Sequence, residues 1–236
     1  MPKLTPPCPT TQSITSLSPP AGKGWAYAKL GKAKWGYAVA LMLCAGTALA
    51  GAQKYEPLSA SVQARLSKSI SDRAAEGGLT ETTQARDWIA EMSHRLEKRI
   101  PDPEFRQDFL GTVYYEATRA GLDPELVMGL IEVESGFRKY AVSTAGARGY
   151  MQVMPFWVNL VGTPEHNLFH LRINLRYGCT ILRHYLDIEK GDLFRALGRY
   201  NGSLGRAEYP NMVRSAWKNR WVLEASYRPG RQAKAE

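Results

Sequence analysis

A short apolar helix that carries a glutamate and stops at a glycine constrains this chain more than any other feature. Asp123, Pro124 and Glu125 predict the start of the helix, because aspartate caps helix N-termini, proline suits the first helical position and the helix dipole favours an early glutamate. Apolar side chains follow at helical spacing in two rows, Leu126, Leu130, Val133 and Phe137 in one and Val127 and Ile131 in the other. Glu134 continues the second row, just before Gly136.

This placement predicts an unusual environment for Glu134. A carboxyl held against apolar neighbours resists ionisation, and one that stays protonated near neutral pH can donate a proton. Glu132 lies about 200° away around the helix, at about 100° per residue, so the two glutamates are not expected to serve one cleft. On spacing alone, a partly exposed side chain with its stem along the core is the commoner interpretation of Glu134.

The residues after this helix favour a functional role for Glu134 over a partly exposed structural side chain. The segment 140–155 contains small residues and two glycines, which allow tight turns and close approach of the backbone to a ligand. A Met-Gln-Val-Met stretch then supplies soft apolar surface and one amide. Amide hydrogen bonds together with apolar faces suit a sugar.

The sequence here resembles the lytic transglycosylases with a goose-type lysozyme-like fold. Their pattern is Glu-Ser, then Ala-x-Ser-x-x-Gly-Ala-x-Gly-Leu-Met-Gln-x-Met-Pro, then Ala-Tyr-Asn. The resemblance covers roughly residues 105–223. Two departures are visible: Tyr150 replaces the leucine, and Gly198-Arg199 precedes the Tyr-Asn pair. Neither removes a chemical group, although both can alter the shape of sugar subsites.

The resemblance implies roles for individual residues. Glu134 falls on the sole catalytic acid/base, and Tyr200 falls on a tyrosine that lies beside the acid and helps to position it. The residues implied in substrate binding are Ser135, Ser143, Gly149, Met151, Gln152, Met154, Tyr200 and Asn201. Among the later aromatic residues, Phe156 or Trp157 is expected in the core, Tyr209 could be core or stack on a sugar, and Tyr200 is not expected to be core.

The implied reaction is cleavage of the β-1,4 bond between N-acetylmuramic acid and N-acetylglucosamine in peptidoglycan, leaving 1,6-anhydro ends. Most glycoside hydrolases use two carboxylates, yet residues 136–162 contain no Asp or Glu. A mechanism with one carboxyl therefore fits better, with the 6-hydroxyl of the substrate as the nucleophile. A hydrolytic muramidase and a non-enzymatic glycan-binding scaffold of the same fold are the alternatives.

The N-terminal residues indicate export to the periplasm or cell envelope. Residues 1–52 hold five lysines and no acidic residue, and an apolar stretch over 35–52 ends in small residues, as in a signal peptide. An uncleaved membrane anchor over 35–52 is the alternative. Without the five lysines, 26 basic residues face 22 acidic ones, a net charge of +4. That modest excess suits a polyanionic cell wall and gives no indication of nucleic-acid binding.

No cofactor, metal site or disulfide framework is expected. Of the three cysteines only Cys179 lies outside the leader, inside a helical pattern typical of a buried core thiol. His166 and His170 are four residues apart, but no carboxylate or cysteine joins them.

The pattern predicts a mainly α, lysozyme-like fold with at most a short β-hairpin near 144–150. We expect a leader over 1–52, an accessory helical segment or linker over 53–101, a catalytic domain over 102–224 and a disordered basic tail over 225–236. The expected helices are 59–75, 82–99, 103–120, 168–188, one that Asp192 caps and that ends at Tyr200-Asn201, and 210–223.

Overall fold

Helices form wherever the sequence combines a capping residue with helically spaced apolar side chains. The structure, a computed structural model, describes residues 53–71 and 80–223. Their helices are α1 Ala60–Ser71, α2 Thr83–Leu96, α3 Pro103–Arg119, α4 Pro124–Ser135, α5 Phe156–Val161, α6 Leu171–Ile188, α7 Leu193–Asn201 and α8 Glu208–Ala216, followed by a π-helical segment, Trp217–Trp221. The mainly helical prediction is confirmed. The leader and the basic tail lie outside the described residues.

The predicted caps are found at the predicted places. The Asp123 and Asp192 side chains accept hydrogen bonds from backbone N–H groups in the first turn of α4 and α7. Asp102, which was not predicted as a cap, does the same for α3. Helices α4 and α7 end at Gly136 and Gly202, whose φ angles of 58° and 79° lie in the left-handed region that favours glycine. The caps set the ends of α4 and α7. The candidate site lies at the C-terminal ends of these two helices.

Three helices differ from the expected ranges, and the first of them, α2, ends at Leu96 rather than 99. Helix α6 starts at Leu171 rather than 168, because the Asn167 side chain accepts a hydrogen bond from the Phe169 N–H in a turn before the helix. The last helix starts at Glu208 and widens into the π-helical segment at Trp217. Helix α5 was not expected, because its six residues are too few for a clear periodic pattern.

Helix α4 lies at the centre of the packing. It contacts α3, α8 and the π-helical segment, and Leu130 and Ile131 are fully buried. Gly129 permits the close approach of the π-helical segment, since a Cβ at this position would lie 2.7 Å from the Trp217 backbone nitrogen. The helix that carries Glu134 is therefore held on several sides.

The segment 53–101 packs onto the same core. Helix α2 lies against α3, and α1 lies against α5 and α6. The side chains of Leu66, Ile70, Trp88 and Met92 are buried. The boundary at 101 stays a prediction, but the helices before it contribute to the core that supports the candidate site.

A buried ion-pair network ties α1, α3 and α6 together. Glu116 is completely buried and accepts hydrogen bonds from Arg176 at 2.8 Å and from Arg119 at 3.0 Å. Arg119 also donates to the Ser69 carbonyl of α1 at 2.9 Å. Removing one partner of such a network leaves an uncompensated buried charge, which typically destabilises a fold by several kcal/mol, about 3–5.

The loop between α4 and α5 holds the only β pairing among residues 53–71 and 80–223. Isolated antiparallel bridges join Val142 to Arg148 and Arg148 to Val153, in the region where a short hairpin was expected. Within the described ranges, none of the helices is both long enough and apolar enough to cross a bilayer.

Candidate active site

Glu134 lies in the last turn of α4 and is almost fully buried, with 2% of its surface exposed. The Tyr209 hydroxyl at the start of α8 donates a hydrogen bond to Glu134 Oε1. Tyr209 is itself 3% exposed. The carboxyl predicted to have an apolar environment is therefore buried and held in place by a phenol.

Glu132 faces a different set of partners, as expected from its angle around the helix. Its carboxylate accepts hydrogen bonds from Arg99, from Arg220 at 2.7 Å and from the Trp221 ring nitrogen at 2.8 Å. These contacts join α4 to the π-helical segment. Glu132 is thus a structural carboxylate, and Glu134 is the one that lies among buried tyrosines.

Two tyrosines share the electrostatic environment of Glu134. Burial, and next the charge of the Glu134 carboxylate, raise the pKa values of Tyr200 and Tyr209 well above the ordinary value for a phenol. Both hydroxyls therefore remain protonated and available as donors at neutral pH.

The two tyrosines have different hydrogen-bond acceptors. The Tyr200 hydroxyl donates to the Met151 carbonyl at 2.7 Å, whereas the bond to Glu134 comes from Tyr209. Tyr200 is fully buried, so the expectation that it lies outside the core is wrong. The hydrogen bond to the Met151 carbonyl holds the Tyr200 side chain inside the core.

The loop that follows α4 is shaped around Asn174 of α6. The Asn174 side chain accepts a hydrogen bond from the Met151 N–H at 2.8 Å and donates to the Arg148 and Leu168 carbonyls at 2.9 and 2.8 Å. Gly149 has φ 75°, and a Cβ there would lie 2.6 Å from the Leu168 oxygen and overlap the Asn174 amide. Only glycine fits at position 149.

Gln152 holds the loop from the inside. Its side-chain amide donates to the carbonyls of Ala141 at 3.1 Å and Gly149 at 2.9 Å, and its backbone has a left-handed φ of 48°. With 1% of its surface exposed, Gln152 is buried. Its contacts close the loop on itself.

Gln53, at the start of the described chain, reaches the same segment. Its Oε1 accepts hydrogen bonds from the Met154 N–H and from the Trp157 ring nitrogen, both at 3.1 Å, and its Nε2 donates to the Gln152 carbonyl at 3.3 Å. Gln53 is 3% exposed. A residue about 100 positions away in sequence therefore supports the Met-Gln-Val-Met stretch.

The other residues predicted to bind substrate differ in their exposure. Ser135 is buried and donates to the Ile131 carbonyl at 3.1 Å, and Asn201 is buried at the end of α7. Ser143 accepts from the Ala147 N–H at 3.1 Å and is half-buried, as is Met154. Of these four, Ser143 and Met154 have side chains with surface available for a ligand.

The geometry agrees with a comparison against protein families. The family described as "Transglycosylase SLT domain" matches residues 112–223, which include Glu134, the loop, Tyr200 and Tyr209. We refer to residues 112–223, which this family matches, as the SLT domain. This match agrees with the lysozyme-like helical domain that the sequence predicted.

Relatives of the SLT domain carry related names. The chain is 49% identical over 49 residues to a membrane-bound lytic murein transglycosylase C from Actinobacillus pleuropneumoniae, covering 21% of this chain and 13% of that protein. It is 32% identical over 104 residues to a transglycosylase from Enterobacteria phage PRD1, covering 44% of this chain and 38% of that protein. The chain thus spans well under half the length of these relatives.

A solved structure of the lytic transglycosylase Slt from Pseudomonas aeruginosa, an inactive mutant, is also similar. The sequence identity is 16% and the TM-score is 0.38, over 72% of this chain and 35% of that chain.

Three residues that support the candidate site escaped the sequence prediction. Asn174 lies at helical spacing from Leu171 and beside Leu175, and an asparagine among such apolar positions is the one sequence signal that could have found it. Tyr209 was noted only as an aromatic side chain. Gln53 carried no signal, because its contacts are all distant in sequence.

His166 and Cys179 have structural surroundings. His166 Nδ1 and the Tyr177 hydroxyl form a hydrogen bond of 2.7 Å, and Cys179 is fully buried in the core, where burial raises its pKa. Within 53–71 and 80–223, no three His, Cys, Asp or Glu side chains are grouped so as to hold a metal ion.

Proposed function

We propose that this protein is a peptidoglycan lytic transglycosylase. In this proposal it cleaves the β-1,4 bond between N-acetylmuramic acid and N-acetylglucosamine and leaves 1,6-anhydromuramic acid ends. The SLT domain and the names of its relatives support the reaction class. The observation that carries the proposal is Glu134, a carboxyl buried at a helix end and held by the Tyr209 hydroxyl.

The first step needs a proton for the leaving oxygen. Removing a carboxylate from water is unfavourable, so burial of Glu134 favours the neutral acid. The hydrogen bond from Tyr209 favours the carboxylate and opposes this effect. A carboxyl under two opposed influences can give up a proton and later take one back. Glu134 protonates the glycosidic oxygen as the bond to the anomeric carbon breaks.

The second step needs a base and a nucleophile. Glu134, now a carboxylate, takes the proton from the 6-hydroxyl of the same muramic acid residue, and that oxygen forms the new bond to the anomeric carbon. The nucleophile belongs to the substrate, so its reaction is intramolecular and needs no activated water. Residues 136–162 supply no second carboxyl, and the Glu132 carboxylate is engaged by Arg99, Arg220 and Trp221.

Tyr209 has a positioning role in this scheme. Its raised pKa keeps the phenol protonated, so it donates to Glu134 in both steps and fixes the direction of the carboxyl. The sugar is bound by the loop and the 151–154 segment, where Ser143 and Met154 have accessible side chains. Gly149, Gln152 and the remaining buried residues of the set act by holding that backbone in shape.

The substrate implies a location. Peptidoglycan lies outside the cytoplasmic membrane, so the proposal requires export to the periplasm or cell envelope. The basic and apolar composition of residues 1–52 supports it, as a signal peptide or as an anchor over 35–52.

The test is digestion of purified sacculi with mass analysis of the released muropeptides. The wild-type protein is expected to release products with anhydro ends, each one water lighter than the corresponding reducing end. Glu134→Gln is expected to fold and bind glycan but to release nothing. Glu132→Gln is the matched control: the same change two residues away on α4 is expected to lower stability but keep the products.

The outcomes separate the alternatives. Reducing ends in place of anhydro ends would identify a hydrolytic muramidase. Glycan binding with no cleavage by the wild-type protein would indicate a scaffold. Full activity of Glu134→Gln would exclude the mechanism.

A further inference from the structure

A pocket lies between α1, α3 and α6. None of its lining residues belongs to the candidate active site. Its volume is about 220 Å³, which corresponds to about seven water molecules at roughly 30 Å³ each. It is lined by Arg65, Leu66, Ser69, Arg119, Ala120, Thr180, Arg183, His184 and Asp187. This space is large enough for a small organic ion.

The lining is rich in positive charge. Arg65, Arg119 and Arg183 contribute three guanidinium groups against the single carboxylate of Asp187. Arg183 is paired with Asp187 at 2.7 Å, and Arg119 is paired with Glu116 behind the pocket. Arg65 has no ion pair within 53–71 and 80–223.

Neutral donors complete the lining. Thr180 is 7% exposed, and its oxygen accepts from Arg119 at 3.5 Å, so its hydroxyl proton can be donated elsewhere. His184 is 5% exposed, and its Nδ1 has no hydrogen-bond partner in the part of the chain that the structure describes. Burial, and next the charge of Arg65, lower the pKa of His184, so its ring is neutral and one ring nitrogen is a donor.

We propose that this pocket binds a small oxyanion, a carboxylate or phosphate group, with Arg65 as its main charged contact. The planar guanidinium fork matches the geometry of both groups, and Thr180 and His184, which also line the pocket, are neutral polar residues. Because Arg65 belongs to α1, which lies before the SLT domain, and Arg119 and Thr180 belong to that domain, a bound anion would bridge the two. The proposal does not depend on the reaction assigned to Glu134.

The test is isothermal titration calorimetry of the full chain with inorganic phosphate and, separately, with acetate, at constant ionic strength. Saturable binding of at least one anion is expected. Binding of phosphate alone identifies a phosphate-bearing ligand, and binding of acetate alone identifies a carboxylate.

Two variants test whether the anion binds in this pocket. Arg65→Gln is expected to weaken binding by about tenfold or more, the effect of losing one charge-assisted hydrogen bond. Arg86→Gln is the matched control, since Arg86 is an exposed arginine on α2 that does not line the pocket; its binding should equal that of the wild type. Absence of saturable binding of either anion at millimolar concentration, or equal weakening by the two variants, would overturn the proposal.

Discussion

Replacing Gln53 by alanine tests whether the N-terminal segment supports the candidate site. The change removes three hydrogen bonds and leaves the Trp157 ring nitrogen, the Met154 N–H and the Gln152 carbonyl without this partner. An orphaned buried polar group costs about 1–3 kcal/mol. Trp157 is 2% exposed and should incur that cost fully, whereas Met154 is half-buried and the Gln152 contact is long at 3.3 Å.

We therefore expect Gln53→Ala to lower the free energy of unfolding by about 3 kcal/mol. Urea unfolding of the full chain, followed by circular dichroism, measures it. The matched control is Gln63→Ala on α1: that glutamine donates one hydrogen bond to the Leu160 carbonyl at 2.6 Å and is exposed. Gln63→Ala should lower the free energy of unfolding by no more than about 0.5–1 kcal/mol.

Equal losses of unfolding free energy for the two alanine variants would refute the reasoning. Burial and the number of hydrogen bonds would then have no effect on stability. The activity of folded Gln53→Ala on sacculi gives a second readout. Displacement of the 151–154 segment should lower the rate of product release even at temperatures where the variant is fully folded.

Three further changes probe the rest of the molecule. Tyr209→Phe removes the donor to Glu134 and is expected to lower kcat by about tenfold or more with little change in KM; an unchanged kcat would contradict the positioning role. Gly149→Ala places a Cβ against the Leu168 oxygen and the Asn174 amide at a left-handed φ, and should cost about 2–3 kcal/mol in urea unfolding; a stable, active variant would show that the loop can shift. His184 has a lowered pKa, so below about pH 6.5 the unfolded chain binds the proton more readily and stability falls as the pH falls. His184→Gln should therefore flatten the stability profile between about pH 7 and 5, and a slope equal to that of the wild type would assign the acid sensitivity to other groups.

Local chemistry made much of the fold predictable. Asp123 followed by Pro124, and Gly136 twelve residues later, mark the ends of α4 through contacts within one turn. Such signals need no knowledge of the rest of the chain. The same holds for Asp192 and Gly202 around α7. The direction of Glu134 relative to Glu132 followed from helix geometry alone.

Contacts between distant segments were not predictable in this way. The resemblance placed Tyr200 beside Glu134, but the donor is Tyr209. Residue type and spacing do not decide between the two, because the choice depends on how α8 packs against α4 and α7. Gln53 lies before α1 in a segment without regular secondary structure, and glutamine side chains are mostly exposed in proteins. Gln53 is buried because it supplies hydrogen-bond partners to the Gln152 carbonyl, the Met154 N–H and the Trp157 ring nitrogen. These three groups lie about 100 residues away in the sequence.

The two glutamates of α4 also have a mechanical consequence. Glu132 is hydrogen-bonded to Arg99 and Arg220 on one side of the helix. Glu134 is hydrogen-bonded to Tyr209 on another side. Any rotation of α4 about its own axis would strain both attachments at once. The direction of the Glu134 carboxyl is thus fixed in part by the contacts of Glu132, a residue that takes no part in the proposed reaction.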